Sequence, residues 1–193
     1  MKEIKIDNPD KFLKKITNLP IMGYASLIVT LLGLGFLIFG IIDIINNSAG
    51  IVFIIVGFII SIVFFLIFNY QKNKVKRFIK EIDLDKVKKE LTQNVVGDSF
   101  KKTYFTKNYM LTNFYYGFIV DYKDILLIYE RVLIDPNTLL PRSDLAVCLK
   151  NGRKEFTEYK DSFVDEIIKH NNKVLVGKDK IDEYKELVKK NNG

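Results

Sequence analysis

The stretch that decides the fold is residues 21–68, IMGYASLIVTLLGLGFLIFGIIDIINNSAGIVFIIVGFIISIVFFLIF. It contains two apolar runs, residues 21–42 and 51–68. As helices these runs would rise about 33 Å and about 27 Å, and each is long enough to cross the hydrocarbon core of a bilayer. The connection between them, residues 43–50, has turn composition and leaves no room for a folded loop. The sequence therefore predicts an antiparallel hairpin of two transmembrane helices.

Positive charges next to the hairpin indicate its orientation. They precede the first run and follow the second, and the connection carries none: Lys2, Lys5, Lys11, Lys14, Lys15, Lys72, Lys74, Lys76, Arg77 and Lys80. Because Lys and Arg near spans stay in the cytoplasm, we expect a multi-pass protein of the plasma membrane with both termini cytoplasmic. We do not expect the first run to be a cleaved signal peptide, since it is too long and a second run follows at once.

Small residues form a stripe along each apolar run. They are Ser26, Gly33 and Gly40 in the first run and Gly50, Gly57 and Ser61 in the second. Small residues on one stripe let two helix backbones approach closely. The stripes predict either a dimerisation face, and with it a homo-oligomer, or packing of the hairpin against itself. The frequency of small residues in membrane spans favours packing within the hairpin.

The region after the hairpin has the composition of a water-soluble domain. The chain of 193 residues is 48% hydrophobic and 27% charged, and the two kinds of residue are segregated along it. Apolar residues at spacings of three or four predict a juxtamembrane helix over residues 71–93. We therefore expect a cytoplasmic N-terminal segment (1–20), a transmembrane hairpin (21–70), this helix, and a cytoplasmic α+β domain (94–193).

Short runs rich in β-branched and aromatic residues predict consecutive antiparallel strands in the soluble part. They cover residues 103–106, 109–114, 118–121, 125–134, 145–150 and 155–159, and Asn151-Gly152 is a strong hairpin signal. Helical patterns at 161–170 and 179–190 enclose a short strand at 173–176, which we expect at the edge of the sheet. The prediction is an α+β fold in which a strongly bent antiparallel sheet, or partial barrel, carries C-terminal helices.

Residues 103–132, the NGRKEF hairpin from Asn151 and the ending NNKVLVGKDK carry a resemblance to a known family. The matching residues are Tyr104, Phe105, Thr106, Asn108, Tyr109, Tyr122, Lys123, Asp124, Ile125 and Tyr129. This pattern resembles uncharacterised bacterial two-helix membrane proteins with a pleckstrin-homology-like (PH-like) cytoplasmic domain. The resemblance implies a small curved sheet capped by a helix, which binds lipids, peptides or other membrane proteins. It carries no established activity.

Residues suited to catalysis or metal binding are scarce. His170 is the one histidine, and we expect it to be solvated on the last turn of a helix. Cys148 is the one cysteine, and we expect it to pack as a small apolar side chain. Glycine-rich phosphate loops and the GxSxG and HExxH motifs are missing from the sequence. The sequence therefore predicts a protein without enzymatic activity, metal or cofactor.

Basic residues near the strand turns are the candidate ligand contacts. We expect Lys123, Arg142, Lys150, Arg153 and Lys154 to bind anionic lipid heads or a protein or peptide partner, so that the chain acts as a membrane-anchored adaptor. The alternative is a structural subunit of a larger membrane complex, assembled through the transmembrane helices. We expect no nucleic-acid partner despite the net charge of +7, because the cations are scattered and no recognised motif accompanies them.

Overall fold

The computed structural model describes the chain except residues 19–20, 47–49, 114–116, 136–137 and 193. The chain divides into two compact units. Met1–Thr17 together with Ile82–Gly193 form one unit, called the folded domain below, and Asn18–Glu81 form the other, called the helical unit. The predicted mixed α+β chain, with two long apolar helices ahead of the sheets and C-terminal helices, is confirmed.

The described residues form the following helices and strands. The first part contains β1 (Lys2–Ile4), α1 (Pro9–Thr17), α2 (Ile21–Asn46), α3 (Gly50–Glu81), α4 (Leu84–Leu91), β2 (Val95–Asp98), β3 (Thr103–Phe105), β4 (Tyr109–Thr112) and β5 (Phe118–Asp121). After a 3₁₀ turn at Tyr122–Asp124 come β6 (Ile125–Ile134), β7 (Pro141–Leu149), β8 (Lys154–Glu158), α5 (Asp161–His170), β9 (Leu175–Val176), a second 3₁₀ turn at Lys178–Lys180, and α6 (Ile181–Asn192).

Helices α2 and α3 have the length and composition of membrane spans. The candidate spans are Gly23–Ile44 and Gly50–Asn73, with mean hydropathies of 2.5 and 3.4. Only 22% and 11% of their most apolar windows are buried, so most side chains of these windows point outward. A core helix of a soluble protein would instead bury its apolar side chains against its neighbours.

Helix α3 continues past the apolar stretch to Glu81. The first half of the predicted juxtamembrane helix is therefore a direct extension of α3. A break at residues 82–83 follows, where the Asp83 side chain accepts a hydrogen bond from the Lys86 backbone N–H (3.0 Å) and caps α4. The one helix predicted over residues 71–93 is two helices, because an aspartate at this position starts a new helix.

The first sheet has the strand order β1-β2-β3-β4-β5, and every neighbouring pair in it is antiparallel. Strand β1 lies at its edge, with Glu3 opposite Val96 of β2. The sequence does not predict β1 or β2. Strand β1 contains Lys2 and Glu3 and β2 contains Gly97 and Asp98, residue types that are depleted in strands, so each depends on its partner strand.

The second sheet has the strand order β8-β7-β6-β9. Strand β6 has the predicted bounds and pairs with β7 over its whole length, from Ile125 opposite Leu149 to Ile134 opposite Pro141. Strand β9 lies at the sheet edge, where the sequence places it, but it pairs with β6 in parallel.

The prediction of one strongly bent antiparallel sheet or partial barrel is wrong. The strands form two sheets that are not strongly curled. The 3₁₀ turn at Tyr122–Asp124 separates them, because the Asp121 side chain accepts from the Lys123 backbone N–H (3.1 Å) and stabilises the turn. The chain leaves the first sheet at β5 and enters the second at β6.

The main core of the folded domain lies between the two sheets and α5. Its buried members are Phe105, Met110, Phe118, Val120, Tyr122, Ile125, Ile128, Leu145, Val147, Leu149, Phe163 and Ile167. Because alternate strand residues point to opposite faces, Leu127 and Cys148 reach the other side of the second sheet and pack against Tyr184 of α6. The second sheet is thus covered on both faces.

Helix α1 packs on the folded domain. It buries Leu13 and Ile16, and its Phe12 ring meets Tyr104 of β3 edge-on, with ring centroids 4.8 Å apart. Asp10 forms an ion pair with Lys88 of α4 at 2.7 Å. Where the sequence predicts a separate segment over residues 1–20, the structure places residues 1–17 within a domain built from two chain segments.

Replacing Ile16 by Ala is expected to destabilise the folded domain by about 2–5 kcal/mol, the usual cost of truncating a buried isoleucine. Ile16 is 1% exposed and packs against Gly117. Denaturant unfolding of the full chain in detergent, followed by tyrosine fluorescence, measures the change. The exposed neighbour Lys15→Ala is the control and should cost less than about 0.5 kcal/mol. Equal effects of the two substitutions would contradict the packing of α1 into the core.

Candidate functional site

The small residues of the helical unit meet at the seam between α2 and α3. A Cβ atom added at Gly33 would lie 2.6 Å from Ser61 Oγ, and one at Gly57 would lie 2.7 Å from the Gly33 carbonyl oxygen. One added at Gly40 would lie 2.7 Å from the Gly50 carbonyl oxygen. These glycines allow the two backbones to touch.

Two serines complete the predicted stripe. Ser26 is buried, and its hydroxyl donates to the Gly23 carbonyl at 2.9 Å. The Ser61 hydroxyl of α3 donates to the Thr30 carbonyl of α2 at 3.5 Å, so one hydrogen bond crosses the seam. The stripe is therefore occupied by packing within the hairpin, which is the second of the two alternatives that the sequence leaves open.

Substituting Gly57 by Ala is expected to separate α2 and α3, since the new methyl group would meet the backbone of Gly33 and of Leu37, which lies 2.8 Å away. The midpoint of thermal unfolding in detergent, followed by circular dichroism, should fall. Gly35→Ala is the matched control, because nothing lies within 4 Å of a Cβ there. An oligomer dispersed by Gly57→Ala with unchanged thermal stability would instead assign the stripe to contact between copies.

Four of the five predicted ligand contacts lie near one end of the second sheet. Lys123 is in the 3₁₀ turn before β6, and Lys150, Arg153 and Lys154 are at the turn from β7 to β8. The Lys150 backbone N–H donates to the Asp124 carbonyl at 2.9 Å, which brings the two turns together. Arg142 is eight residues from Lys150 at the opposite end of β7, a strand length of about 27 Å, and does not join the cluster.

Carboxylates of the same chain already hold most of these basic groups. Lys123 pairs with Asp121 at 2.9 Å, and Lys150 with Asp124 at 2.6 Å. The hydrogen bond to Asp121 is the main reason that the pKa of Lys123 is raised.

The two arginines are held in the same way. Arg153 pairs with the buried Glu155 at 3.0 Å, and Arg142 pairs with the buried Asp144 at 3.0 Å. An anionic ligand at any of these four cations would have to compete with a carboxylate in place. Lys154 is exposed at the start of β8.

A groove of about 590 Å³ lies between the end of α4, the turn from β3 to β4, and the end of α5. The buried Glu90 carboxylate at its wall accepts from the Thr106 hydroxyl (2.8 Å), the Asn108 backbone N–H (2.9 Å) and the Asn108 side chain. Each Glu90 oxygen thus has a donor within the domain, and the position is explained by its role in holding the β3–β4 turn.

His170 lies at the same groove. It occupies the last turn of α5, as predicted, but its ring stacks on Tyr122 with centroids 4.4 Å apart, and its Nε2 is 3.1 Å from Glu166. Burial, with the Glu166 and Glu90 carboxylates, raises the pKa of Tyr122 well above its usual range, so Tyr122 stays neutral. The sequence predicts a solvated histidine. It does not indicate the stacking, because Tyr122 is distant from His170 in the chain.

The outer end of the β6–β7 hairpin carries the most exposed apolar side chains of its sheet. Val132 and Ile134 of β6 are 63% and 71% exposed, and Leu139 and Leu140 of the following loop are 76% and 65% exposed. We call these four residues the hairpin tip. Further along the same strand face, Ile128 is fully buried in the main core. The strand thus extends beyond the core, which the sequence pattern alone does not reveal.

Among the described residues, no group of three or more His, Cys, Asp or Glu side chains is arranged to hold a metal ion. No protein-family model, curated protein or solved structure matches the chain.

Proposed function

We propose that the chain is a membrane-anchored, non-enzymatic binding module whose folded domain is PH-like and binds a protein partner. The observation that carries this proposal is the exposure of the hairpin tip on a strand that extends beyond the core. Isolated exposed apolar residues are normal on a protein surface, but a contiguous group marks an interaction site.

The anchor is supported by the outward-facing apolar side chains of α2 and α3. Charge supports its orientation, since lysines and arginines lie before α2 and after the apolar part of α3 and are missing from the connection. With these cations on the cytoplasmic side, the module belongs to the plasma membrane with both termini and the folded domain in the cytoplasm.

The PH-like assignment is supported by the arrangement around the main core. Strands β2 to β5 lie in one sheet, β6 to β8 lie in the other, and α5 packs on the core that both sheets share. A helix that caps the sheets in this way fits the resemblance carried by residues 103–132. Strands β1 and β9 and helix α6 are additions to that plan.

A protein partner is favoured over an anionic lipid because most of the candidate basic contacts are paired within the domain. The alternative function, a structural subunit assembled through the transmembrane helices, has less support. The glycine stripe that would serve it is filled by the neighbouring helix of the same hairpin.

A photoactivatable amino acid at Val132 of the full chain, in membranes of cells that express it, is expected to form covalent adducts with protein. The same amino acid at Lys150 is the control and is expected to form none, since the Lys150 end of the sheet lies away from the hairpin tip. Denaturing gels and immunoblots measure the adducts at both positions. Lipid adducts at Lys150 with no protein adduct at Val132 would contradict the proposal and favour lipid binding.

A cysteine at position 48, in the connection between α2 and α3, is expected to react with a membrane-impermeant maleimide in intact cells. A cysteine in place of Ser99, in the folded domain, should react only after the membrane is disrupted. The native chain is the control, because Cys148 is buried and burial raises the pKa of its thiol to about 11, which keeps it unreactive. The reverse labelling pattern would contradict the cytoplasmic orientation.

A further inference from the structure

The outer edge of β6 is only partly covered. β7 pairs with β6 along its whole length, but on the other side β9 pairs only with Leu127 and Ile128. No strand of the described residues pairs with this edge over residues 130–134. Half of the strand therefore has a free edge.

The direction of the backbone groups follows from two hydrogen bonds. The Ile128 carbonyl accepts from the Gly177 N–H at 3.0 Å, on the β9 side. Asp135 N–H donates to the Leu140 carbonyl at 2.9 Å, on the β7 side. Because successive residues of a strand direct their backbone groups to alternate edges, Glu130 and Val132 present theirs at the free edge, and so does Ile134.

Unpaired strand edges are usually protected by lysine, proline or a bulge. The chain has 30 Lys and Arg, and four of them are arginines (Arg77, Arg131, Arg142 and Arg153), which leaves 26 lysines. None of these lysines lies in residues 125–149. The one irregularity of the β6–β7 ladder lies between Ile125 and Leu127, at the other end of the strand. Residues 130–134 thus contain no lysine, proline or bulge, and the charges at this half of the strand are those of Glu130 and Arg131.

The occupant must be an extended backbone, since only a strand supplies donors and acceptors at the spacing of residues 130, 132 and 134. A second copy of β6 meets this requirement. Paired antiparallel about Val132, it places Val132 opposite Val132 of the other copy and Glu130 opposite Ile134. Each of these three pairs exchanges two bonds, so the contact makes roughly six backbone hydrogen bonds.

Charge is compatible with this pairing. The two Glu130 carboxylates do not face each other, because each lies opposite an isoleucine. The Arg131 side chain points to the other face of the sheet, where it contacts Asp144 at 3.1 Å and lies over the Phe156 ring. A ladder of three residue pairs is short, but confinement of both copies to one membrane raises their effective concentration.

We infer that two copies of this chain associate through antiparallel pairing of the free half of β6, with Val132 on the two-fold axis. The inference depends on the proposed function and names the protein partner as a second copy. It also gives a register that can be tested residue by residue.

The test introduces cysteines into the full chain in membranes and applies an oxidant. Val132→Cys is expected to form a disulfide-linked species of twice the 22.4 kDa chain mass. Ile134→Cys alone should not, since the two 134 positions are offset by four residues, about 14 Å. The Glu130→Cys, Ile134→Cys double variant should again form the linked species. Equal linkage at 132 and 134, or no linkage at either, would overturn the inference.

A second comparison measures association without a covalent bond. Val132→Lys places two like charges opposite each other at the axis and is expected to reduce the dimer fraction in nanodiscs. Ile168 is an exposed apolar residue on α5, and Ile168→Lys is the control that should leave the dimer fraction unchanged. A dimer unaffected by Val132→Lys would overturn the inference.

Protein adducts at position 132 with a mass other than twice that of the chain would overturn self-pairing and leave the proposed function in place. If no protein adduct forms at position 132, both the inferred self-pairing and the proposed function are wrong.

Discussion

The antiparallel pairing of β1 with β2 unites the two chain segments that flank the helical unit. Ile4 lies opposite Val95, so the contact closes a loop of about ninety residues that includes both apolar helices. The entropic cost of closing a loop rises only with the logarithm of its length, by about 0.6 kcal/mol for each doubling. An insertion of this length is therefore tolerated. The burial of Ile16 and the ion pair of Asp10 then depend on this closure.

The two sheets are fixed to each other by polar contacts as well as by the main core. The hydroxyls of Thr103, Thr112 and Thr157, all fully buried, lie 3.0–3.4 Å from one another, and the first two residues belong to one sheet and the third to the other. Buried hydroxyls that satisfy each other avoid the cost of an unpaired polar group and favour one relative position of the sheets. Nearby, the side chain of Lys160 binds Asp98 at 2.8 Å and is the main reason that the pKa of Asp98 is lowered. The ion pair therefore stabilises the fold at pH values above the usual pKa of an aspartate. This stabilisation is lost as the pH falls through the lowered pKa of Asp98.

Local patterns in the sequence predict the parts of this fold that local chemistry determines. The apolar runs of α2 and α3 stand out by themselves, and β6 and α5 have the bounds that alternation and helical spacing indicate. Strand β1 is not predictable in this way, because three residues in a lysine-rich segment become a strand only through a partner some ninety residues away. The same reason explains why the sequence does not reveal that the candidate basic residues are paired. Lys150 looks like a free cation in the sequence, and only the fold brings Asp124 to it.

The division of the folded domain has a consequence for how the protein is made. Strand β1 and helix α1 leave the ribosome before the helical unit, but their partners β2 and α4 follow it in the chain. Residues 18–81 separate them, a span of 64 residues that takes about 3–13 s to synthesise at 5–20 residues per second. During that interval the apolar face of α1 has no partner within the chain, while α2 and α3 enter the bilayer. Folding of the folded domain must therefore wait until the helical unit and α4 have been synthesised, and a chain stalled before α4 would present an unfinished domain to the quality-control machinery of the cell.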